Sequence, residues 1–201
     1  MKSIQTEIEA KFLGINTKEF RKKLVTLGAR KEHKEILMKR RTFDDAKKSL
    51  SKVKGWIRVR DEGNKITLSY KQLNDRTLHG TKEITVVVDN FDNTCDFLKG
   101  IGFVEKSYQE TKREKWILND VEVTIDTWPW IPSFVELEAS NEKVIKKVAK
   151  ILDLDWKNAL HGSVEVAYQK DYDVTEKEID SWKAITFISA PKWLETKRKN
   201  I

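Results

Sequence analysis

The sequence predicts an α+β fold in which a few helices accompany an antiparallel sheet or barrel. Long segments alternate between apolar and charged residues, as strands with one buried face do. Short polar turns join several of these segments into hairpins. Only a few segments carry apolar residues at helical spacing. Long strands with few helices between them are typical of an antiparallel architecture.

The first part of the chain is expected to form strands and hairpins around one helix. Residues 6–12 (TEIEAKF) alternate charged and apolar side chains as a strand. Residues 16–28 begin with cap-type residues and end at a glycine, which predicts a helix. Residues 35–44 are an expected strand, and residues 45–54 a polar hairpin segment. Residues 55–72 have the pattern of a hairpin that turns at Glu-Gly-Asn.

The second part repeats this organisation. Residues 81–89 are an expected strand, and residues 90–102 a short helix that ends in glycine. Residues 108–128 predict a second hairpin, which turns at Asn-Asp. Residues 133–140 are expected as a strand, and residues 141–154 as an amphipathic helix.

The last part of the chain, from residue 156, has a helical pattern that Pro191 interrupts. The segment DVTEKEIDSW offers a fresh capping signal after about residue 173. We therefore expect one main domain at residues 1–173 and a helical C-terminal extension at residues 174–201.

Composition limits the class of protein. The 201 residues carry a net charge of +7, and Cys95 is the only cysteine, which excludes an internal disulfide and a cysteine-rich zinc site. No stretch approaches the ~20 apolar residues of a membrane span, and the start lacks the apolar core of a secretion signal. A cytoplasmic location is expected. Residues 18–54 hold 14 Lys and Arg against five Asp and Glu, a basic excess that favours polyanionic partners or is simply a solvated surface.

The charged faces of the strands carry recurrent pairs. Arg58 and Arg60 share one face of a strand, and Glu136 and Glu138 share one face of another. Two arrangements satisfy this pattern. In an open sheet the apolar faces pack on helices and the charged faces meet water. In a curled sheet the charged faces line a lumen and helices cover the apolar outside.

Pairs of like charge have a chemical meaning inside a lumen. Carboxylates on one face repel each other unless a cation lies between them. Neighbouring arginines suit a polyanion, whose oxygens match the guanidinium fork. A lumen with both kinds of wall would hold a divalent metal and a phosphate chain together. The residues alone leave the open sheet and the lumen as alternatives.

The residues resemble a known family. EIEAK, at residues 7–11, is similar to the E-x-E-x-K signature of the CYTH superfamily, the triphosphate tunnel metalloenzymes. These include class IV adenylate cyclases, thiamine triphosphatases and inorganic tripolyphosphatases. The resemblance spans roughly residues 4–170 and rests on an ordered set of charged residues. It implies an eight-stranded antiparallel closed β-barrel with a charged tunnel and helices packed outside.

The resemblance also implies roles for individual residues, although none is assigned as catalytic. The implied metal ligands are Glu7, Glu9, Asp126, Glu136 and Glu138. The implied phosphate-binding residues are Lys11, Arg58, Arg60, Lys71 and Arg113. Glu83 is similar to the acidic residue that supports the phosphate wall. Hard oxygen ligands suit Mg²⁺ or Mn²⁺.

The chain departs from the family pattern at two strands. Thr111 stands where members often have a lysine, two residues before Arg113. The adjacent Lys112 is expected on the other face unless a bulge turns it inward. Thr42 replaces a tyrosine, and Lys39 or Arg41 is expected to supply inward charge instead.

Three functions follow from the sequence. The first is a divalent-metal-dependent phosphohydrolase that acts on inorganic or organic triphosphates, such as tripolyphosphate or ATP. The second is a class IV-type adenylate cyclase that converts ATP to cyclic AMP and pyrophosphate. The third is a non-catalytic module that binds polyphosphate or a 5′-triphosphate RNA end. No membrane partner is expected, and nucleic acid is not the favoured partner.

The segment DTWPWIPSF has two interpretations. Trp128 and Trp130 are large aromatic residues that suit stacking on a nucleobase or thiazole. The favoured interpretation is that this Trp-Pro loop plugs one end of the barrel.

Overall fold

The computed structural model describes residues 5–199, except for the side chains of Gln5 and Glu7. The described strands are β1 (Gln5–Phe12), β2 (Arg30–Asp45), β3 (Gly55–Asp61), β4 (Ile66–Leu73), β5 (Thr81–Val88), β6 (Phe103–Leu118), β7 (Val121–Thr127), β8 (Phe134–Ala139) and β9 (Ala184–Ile185). The described α-helices are α1 (Thr17–Thr26), α2 (Ser49–Lys52), α3 (Phe91–Gly100), α4 (Glu142–Ile151), α5 (Glu165–Asp171), α6 (Glu176–Ser181) and α7 (Lys192–Glu195). None of these helices is long and apolar enough to cross a membrane.

The eight long strands form one antiparallel sheet that curls on itself. Their order is β2-β3-β4-β5-β1-β8-β7-β6, and β6 also pairs with β2. The α+β class and the eight-stranded antiparallel sheet are thus confirmed. The expected full closure of the barrel is not. β1 pairs with β5 only at residues 5–7, because β5 begins at Thr81, and farther along β1 an isolated bridge joins Lys11 to Leu160.

The apolar faces of the strands point outward onto helices. One core cluster joins the outer faces of β1, β7 and β8 to Leu24 of α1 and Ile145 of α4. A second cluster packs Cys95 and Leu98 of α3 on β2 and β3. Each fully buried Leu or Ile stabilises such a core by roughly 1.5–3 kcal/mol. The charged faces therefore point into the curl, which is the second of the two arrangements that the sequence allows.

Short-range sequence signals fix the element ends. Asn16, Asn90 and Asn141 each begin a helix by accepting hydrogen bonds from backbone N–H groups of its first turn. Asn119 and Asp120 both have positive φ, 49° and 61°, as the tight hairpin turn between β6 and β7 requires. These caps and turns hold the strands at the registers that align their charged residues.

The helical C-terminal tail that the sequence suggests is not confirmed. Residues 174–199 contain α6, α7 and the two-residue strand β9, which pairs with β6 in parallel. Thr175 and Glu178 do form the expected capping box of α6. Trp182 and Ile185 are buried against Tyr168 of α5, so aromatic packing rather than helix propensity shapes this segment.

Candidate functional site

The curled sheet encloses a cavity of about 1210 Å³. Side chains from every long strand line it, together with residues 163–165 and α6. Among the predicted site residues, those that line the cavity are Glu9, Lys11, Arg58, Arg60, Lys71, Glu83, Arg113, Asp126, Glu136 and Glu138. The backbone of Glu7 lies in β1, but its side chain falls outside the described part of the structure.

Four of these residues form a compact ion-pair network, here called the paired layer: Lys11, Glu136, Arg113 and Asp126. The Arg113 guanidinium donates to both Asp126 oxygens, at 2.6 and 2.7 Å, and to Glu136 Oε1 at 3.0 Å. Lys11 Nζ lies 2.9 Å from Glu136 Oε2. Strands β1, β8, β7 and β6 are successive neighbours in the sheet, and their registers bring the four side chains together.

The electrostatics of the paired layer follow from burial and contact. Burial alone would raise the pKa of Glu136, but Lys11 and Arg113 outweigh it and lower that pKa. Burial alone would lower the pKa of Lys11, yet Glu136 and Glu9 raise it. Burial raises the pKa of Asp126 against the opposing effect of Arg113. Glu136 and Lys11 are therefore held charged.

A second group of acidic residues, here called the carboxylate row, lies beside the paired layer. It consists of Glu9, Glu138 and Glu122, which are directly opposite one another on β1, β8 and β7. Burial and the charges of Glu122, Glu136 and Glu9 raise the pKa of Glu138 to about 7. No other described residue forms an ion pair or hydrogen bond with the Glu138 carboxyl group. Lys11 contacts Glu9 and Lys115 contacts Glu122, so Glu138 is the member of the row without a cationic contact among the described residues.

Glu122 was not among the predicted site residues. It shares the inward face of β7 with Thr124 and Asp126, so its direction was readable from the strand alternation. Its alignment with Glu138 depends on the β7–β8 register, which the sequence does not display. Lys115, on the same side of β6, forms an ion pair with Glu122.

Across the cavity lies the basic wall, formed by Arg58, Arg60 and Lys71. Glu83 connects two of these cations, because its oxygens lie 3.1 Å from Arg58 Nη2 and 3.0 Å from Lys71 Nζ. Arg60 Nη2 lies 2.6 Å from Glu62 at the β3–β4 turn. Carboxylate partners on each side hold the basic groups in defined positions on the wall.

Strand β2 supplies inward charge through Arg40. The expectation for Lys39 or Arg41 is wrong: Lys39 is exposed, and Arg41 points outward, where it pairs with Glu105 at 2.7 Å. Arg40 Nη2 instead donates to Thr111 Oγ1 at 2.7 Å inside the cavity. Lys112 lies outside, with Nζ 5.0 Å from the centroid of the Phe187 ring. Arg40 thereby brings a cation to the position where the family lysine is missing.

The two tryptophans of the Trp-Pro loop are occupied by protein contacts. Trp128 is buried, with the Arg40 guanidinium 4.7 Å from its ring centroid and Tyr168 against it edge-on. Trp130 packs on Trp182 and donates from Nε1 to the backbone oxygen of Ile188. These contacts favour the interpretation of this loop as a plug.

The donor set fits a hard divalent cation in chemistry. Carboxylate oxygens suit Mg²⁺ and Mn²⁺. Burial first, and the neighbouring carboxylates second, raise the pKa of Glu138 to about 7. Asp126 and Glu136 are already paired with cationic side chains. Among the described residues, no three His, Cys, Asp or Glu side chains are arranged to hold one ion. Glu9 and Glu122 also have cationic partners, Lys11 and Lys115, so within the carboxylate row Glu138 is the better candidate for an added cation.

The CYTH domain model matches residues 5–166, and the chain belongs to this family. Its members include triphosphatases and adenylate cyclases. Comparison with curated proteins gives no significant match.

Solved structures share the fold at low sequence identity. PH1012 from Pyrococcus horikoshii OT3 is 24% identical with a TM-score of 0.64, over 76% of this chain and 93% of that one. A Vibrio parahaemolyticus protein proposed to be an adenylate cyclase is 13% identical with a TM-score of 0.69, over 82% and 98%. HpAC1 from Hippeastrum, a proposed adenylyl cyclase with a dominant triphosphatase activity, is 14% identical with a TM-score of 0.54, over 87% and 93%. These likenesses establish the fold alone.

Proposed function

We propose that this protein is a divalent-metal-dependent triphosphatase. The observation that carries the proposal is the division of one cavity into a carboxylate row and a basic wall. A polyanion and a metal cation together would complement both surfaces. A cytoplasmic location and the 1–173 domain boundary remain predictions from the sequence.

In this proposal the cations bind and orient the phosphate chain. Phosphoryl transfer depends mainly on placement and on neutralisation of charge. Arg58 and Arg60 lie two residues apart on one face of β3, about 6.5–7 Å along the strand. That spacing suits neighbouring phosphoryl groups, and each guanidinium fork matches phosphate oxygens. Lys11, Lys71 and Arg113 complete the proposed phosphate ligands.

The metal would be held by Glu138 and Glu9, with Glu122 beside them; Glu7 remains a predicted ligand. When bound, it would neutralise phosphate oxygens and make a nucleophilic water available at neutral pH. Because burial and its neighbours raise the pKa of Glu138, proton loss from this carboxyl would be coupled to metal binding.

Hydrolysis is favoured over cyclisation because Trp128 is not free to stack on a base. The Arg40 guanidinium covers the ring, and Tyr168 packs against it. The non-catalytic alternative was supported by the absence of the family lysine at Thr111. Arg40 supplies a cation at that position, so this support is removed. A mere anion binder would also have no use for the carboxylate row.

The test is an assay of the purified protein with Mg²⁺ or Mn²⁺ and either tripolyphosphate or ATP, in which both phosphate and cyclic AMP are measured. We expect phosphate release that EDTA abolishes and that Glu138→Gln lowers at least 100-fold. Glu105→Gln, which alters an outward-facing carboxylate paired with Arg41, is the matched control. Cyclic AMP as the main product would favour the cyclase, and tight binding without any product would favour the binding module. Undiminished turnover in EDTA would remove the metal from the mechanism.

A further inference from the structure

Arg40 differs from the other buried cations of the cavity in having no acidic partner among the residues that the structure describes. Only 8% of the residue is exposed, and Thr111 is its one hydrogen-bond partner among the described residues. Its Nε atom is buried and has no partner in the described structure. By contrast, Lys11, Arg58 and Arg113 each contact a carboxylate within 3.1 Å.

The charged residues nearest to Arg40 are mainly cationic, which increases the need for an anion at this position. Arg40 lies directly opposite Arg60 in the β2–β3 register. Burial, followed by the charges of Arg60, Arg58 and Arg113, lowers the pKa of Arg40. A guanidinium nonetheless keeps its charge in proteins. A buried charge without a counter-ion is unfavourable, so this site would be stabilised by an anion from outside the chain.

The position of Arg40 in the cavity indicates which part of a ligand it would meet. Lys71 lies opposite Trp56 of β3, whereas Arg40 lies opposite Arg60, four residues farther along the same strand. Arg40 also lies beside Trp128, where the strand β7 ends. The cations are thus spread between two ends of the cavity, and a longer phosphate chain reaches more of them than a shorter one.

We propose that Arg40 binds a phosphoryl group at the Trp128 end of the cavity and thereby selects chains of three phosphoryl groups over chains of two. This inference rests on the proposed triphosphate function and names a specificity-determining residue for it. Thr111 orients the guanidinium from one side, and the Trp128 ring supports it from the other. The forked donors that remain suit the oxygens of a phosphoryl group.

The experiment compares Arg40→Met with Arg41→Met. These are neighbouring arginines of β2, one inside the cavity and one outside. Calorimetry measures the affinity for tripolyphosphate and for pyrophosphate in EDTA, where the proposed hydrolysis does not run, and the KM for tripolyphosphate is measured with Mg²⁺. We expect Arg40→Met to weaken tripolyphosphate binding at least 10-fold and pyrophosphate binding less than about 3-fold. Arg41→Met should change neither affinity by more than about 3-fold.

Thermal unfolding of the ligand-free variants separates binding from structure. Removal of an uncompensated buried charge should leave the melting temperature of Arg40→Met unchanged or raise it. A lowered melting temperature with unchanged tripolyphosphate affinity would assign Arg40 a structural role and overturn the proposal. If Arg40→Met does not fold, Arg40→Lys keeps the charge without the fork, and full tripolyphosphate affinity in that variant would contradict the proposal.

The other outcomes are also decisive. Equal losses for both ligands would overturn the selection of chain length. Unchanged binding of tripolyphosphate by a folded Arg40→Met would overturn this inference and leave the proposed function standing. Failure of the unmodified protein to bind tripolyphosphate in EDTA and to turn it over with Mg²⁺ would overturn both.

Discussion

Glu136 and Glu138 lie two residues apart on the inward face of β8, and their carboxyl groups have opposite electrostatic surroundings. Glu136 contacts Lys11 and Arg113, which lower its pKa in spite of burial. Glu138 has carboxylates as neighbours, and burial with their charge raises its pKa to about 7. Two successive inward-facing positions of β8 therefore hold one carboxyl group with cationic partners and one without such partners among the described residues.

This difference separates two tasks within one wall. A buried ion pair that is fully hydrogen-bonded holds its members in place, and loss of one partner is destabilising. A group of like charges weakens the ligand-free fold but is ready for a cation. We infer that Glu136 and Asp126 hold the proposed phosphate ligands Lys11 and Arg113 in position, whereas Glu138 of the carboxylate row is the carboxylate open to an added cation.

The largest expected effect is on stability, from Glu136→Gln. This change leaves Lys11 with Glu9 alone and Arg113 with Asp126 alone. We expect the free energy of unfolding to fall by on the order of 3 kcal/mol, measured by denaturant titration in EDTA at pH 8. Glu138→Gln, on the same face of the same strand, is the matched control and should cause no loss. Equal losses in the two variants would remove the distinction between the layers.

A similar effect is expected on ligand binding from Arg58→Ala, on the wall that faces the carboxylates. The Arg58 side chain is 8% exposed, so loss of its contacts with a phosphate chain should cost about 2–4 kcal/mol. That corresponds to roughly 30- to 1000-fold weaker tripolyphosphate binding by calorimetry. Arg198→Ala is the exposed control, because that arginine pairs with Glu195 at the surface; it should cost less than ~1 kcal/mol. Similar small losses in both variants would mean that Arg58 is not a phosphate ligand.

The third prediction uses pH to test the carboxylate row in metal-free protein. Between the ordinary glutamate pKa of about 4.5 and the folded value of about 7, the folded state holds a proton on Glu138 that the unfolded state has released. The free energy of unfolding should therefore fall as pH rises through this window, by at most about 1.4 kcal/mol per pH unit, and level off above it. The Glu138→Gln variant lacks this titration. Its free energy of unfolding should therefore rise relative to that of the unmodified protein between pH 5 and pH 7. Parallel stability curves, measured by denaturant unfolding in EDTA, would refute the raised pKa.

The inward direction of most site residues could be predicted because a strand has a period of two. The E-x-E pairs and the Arg58/Arg60 pair therefore pointed to one face whatever the tertiary structure. The pairing between strands could not be predicted, since it depends on register. Lys11 opposite Glu136, and Glu122 opposite Glu138, follow from the β1–β8 and β7–β8 alignments.

Strand β2 shows why one basic residue was missed. Three consecutive basic residues, at positions 39–41, conceal the alternation that marks direction elsewhere. The alternation itself is unbroken, because Met38, Arg40 and Thr42 line the cavity whereas Phe43 packs outward on α3. Met38, buried and apolar at the same parity as Arg40, was in fact a misleading signal for an outward face. The expected helical character of the C-terminal extension is not confirmed, because contacts of Trp182 that the sequence does not display set the conformation of this segment.

The smallest expected effect is the stabilisation of the folded protein by a bound metal ion. It tests directly whether the carboxylate row, rather than the paired layer, binds the cation. A ligand that binds only the folded state stabilises it by about 1.4 kcal/mol at ten times its dissociation constant. For a chain of this length that raises the melting temperature by about 3–6 °C. We expect such a shift with Mg²⁺ or Mn²⁺ at pH 8, and a smaller one at pH 5.5, where protons compete for Glu138. Glu138→Gln should lose the shift, while Glu105→Gln, on the outer surface, should keep it. If instead Glu138→Gln responds to the metal as the unmodified protein does, the carboxylate row is not the cation site, and the uncompensated charge of Glu138 would need another explanation.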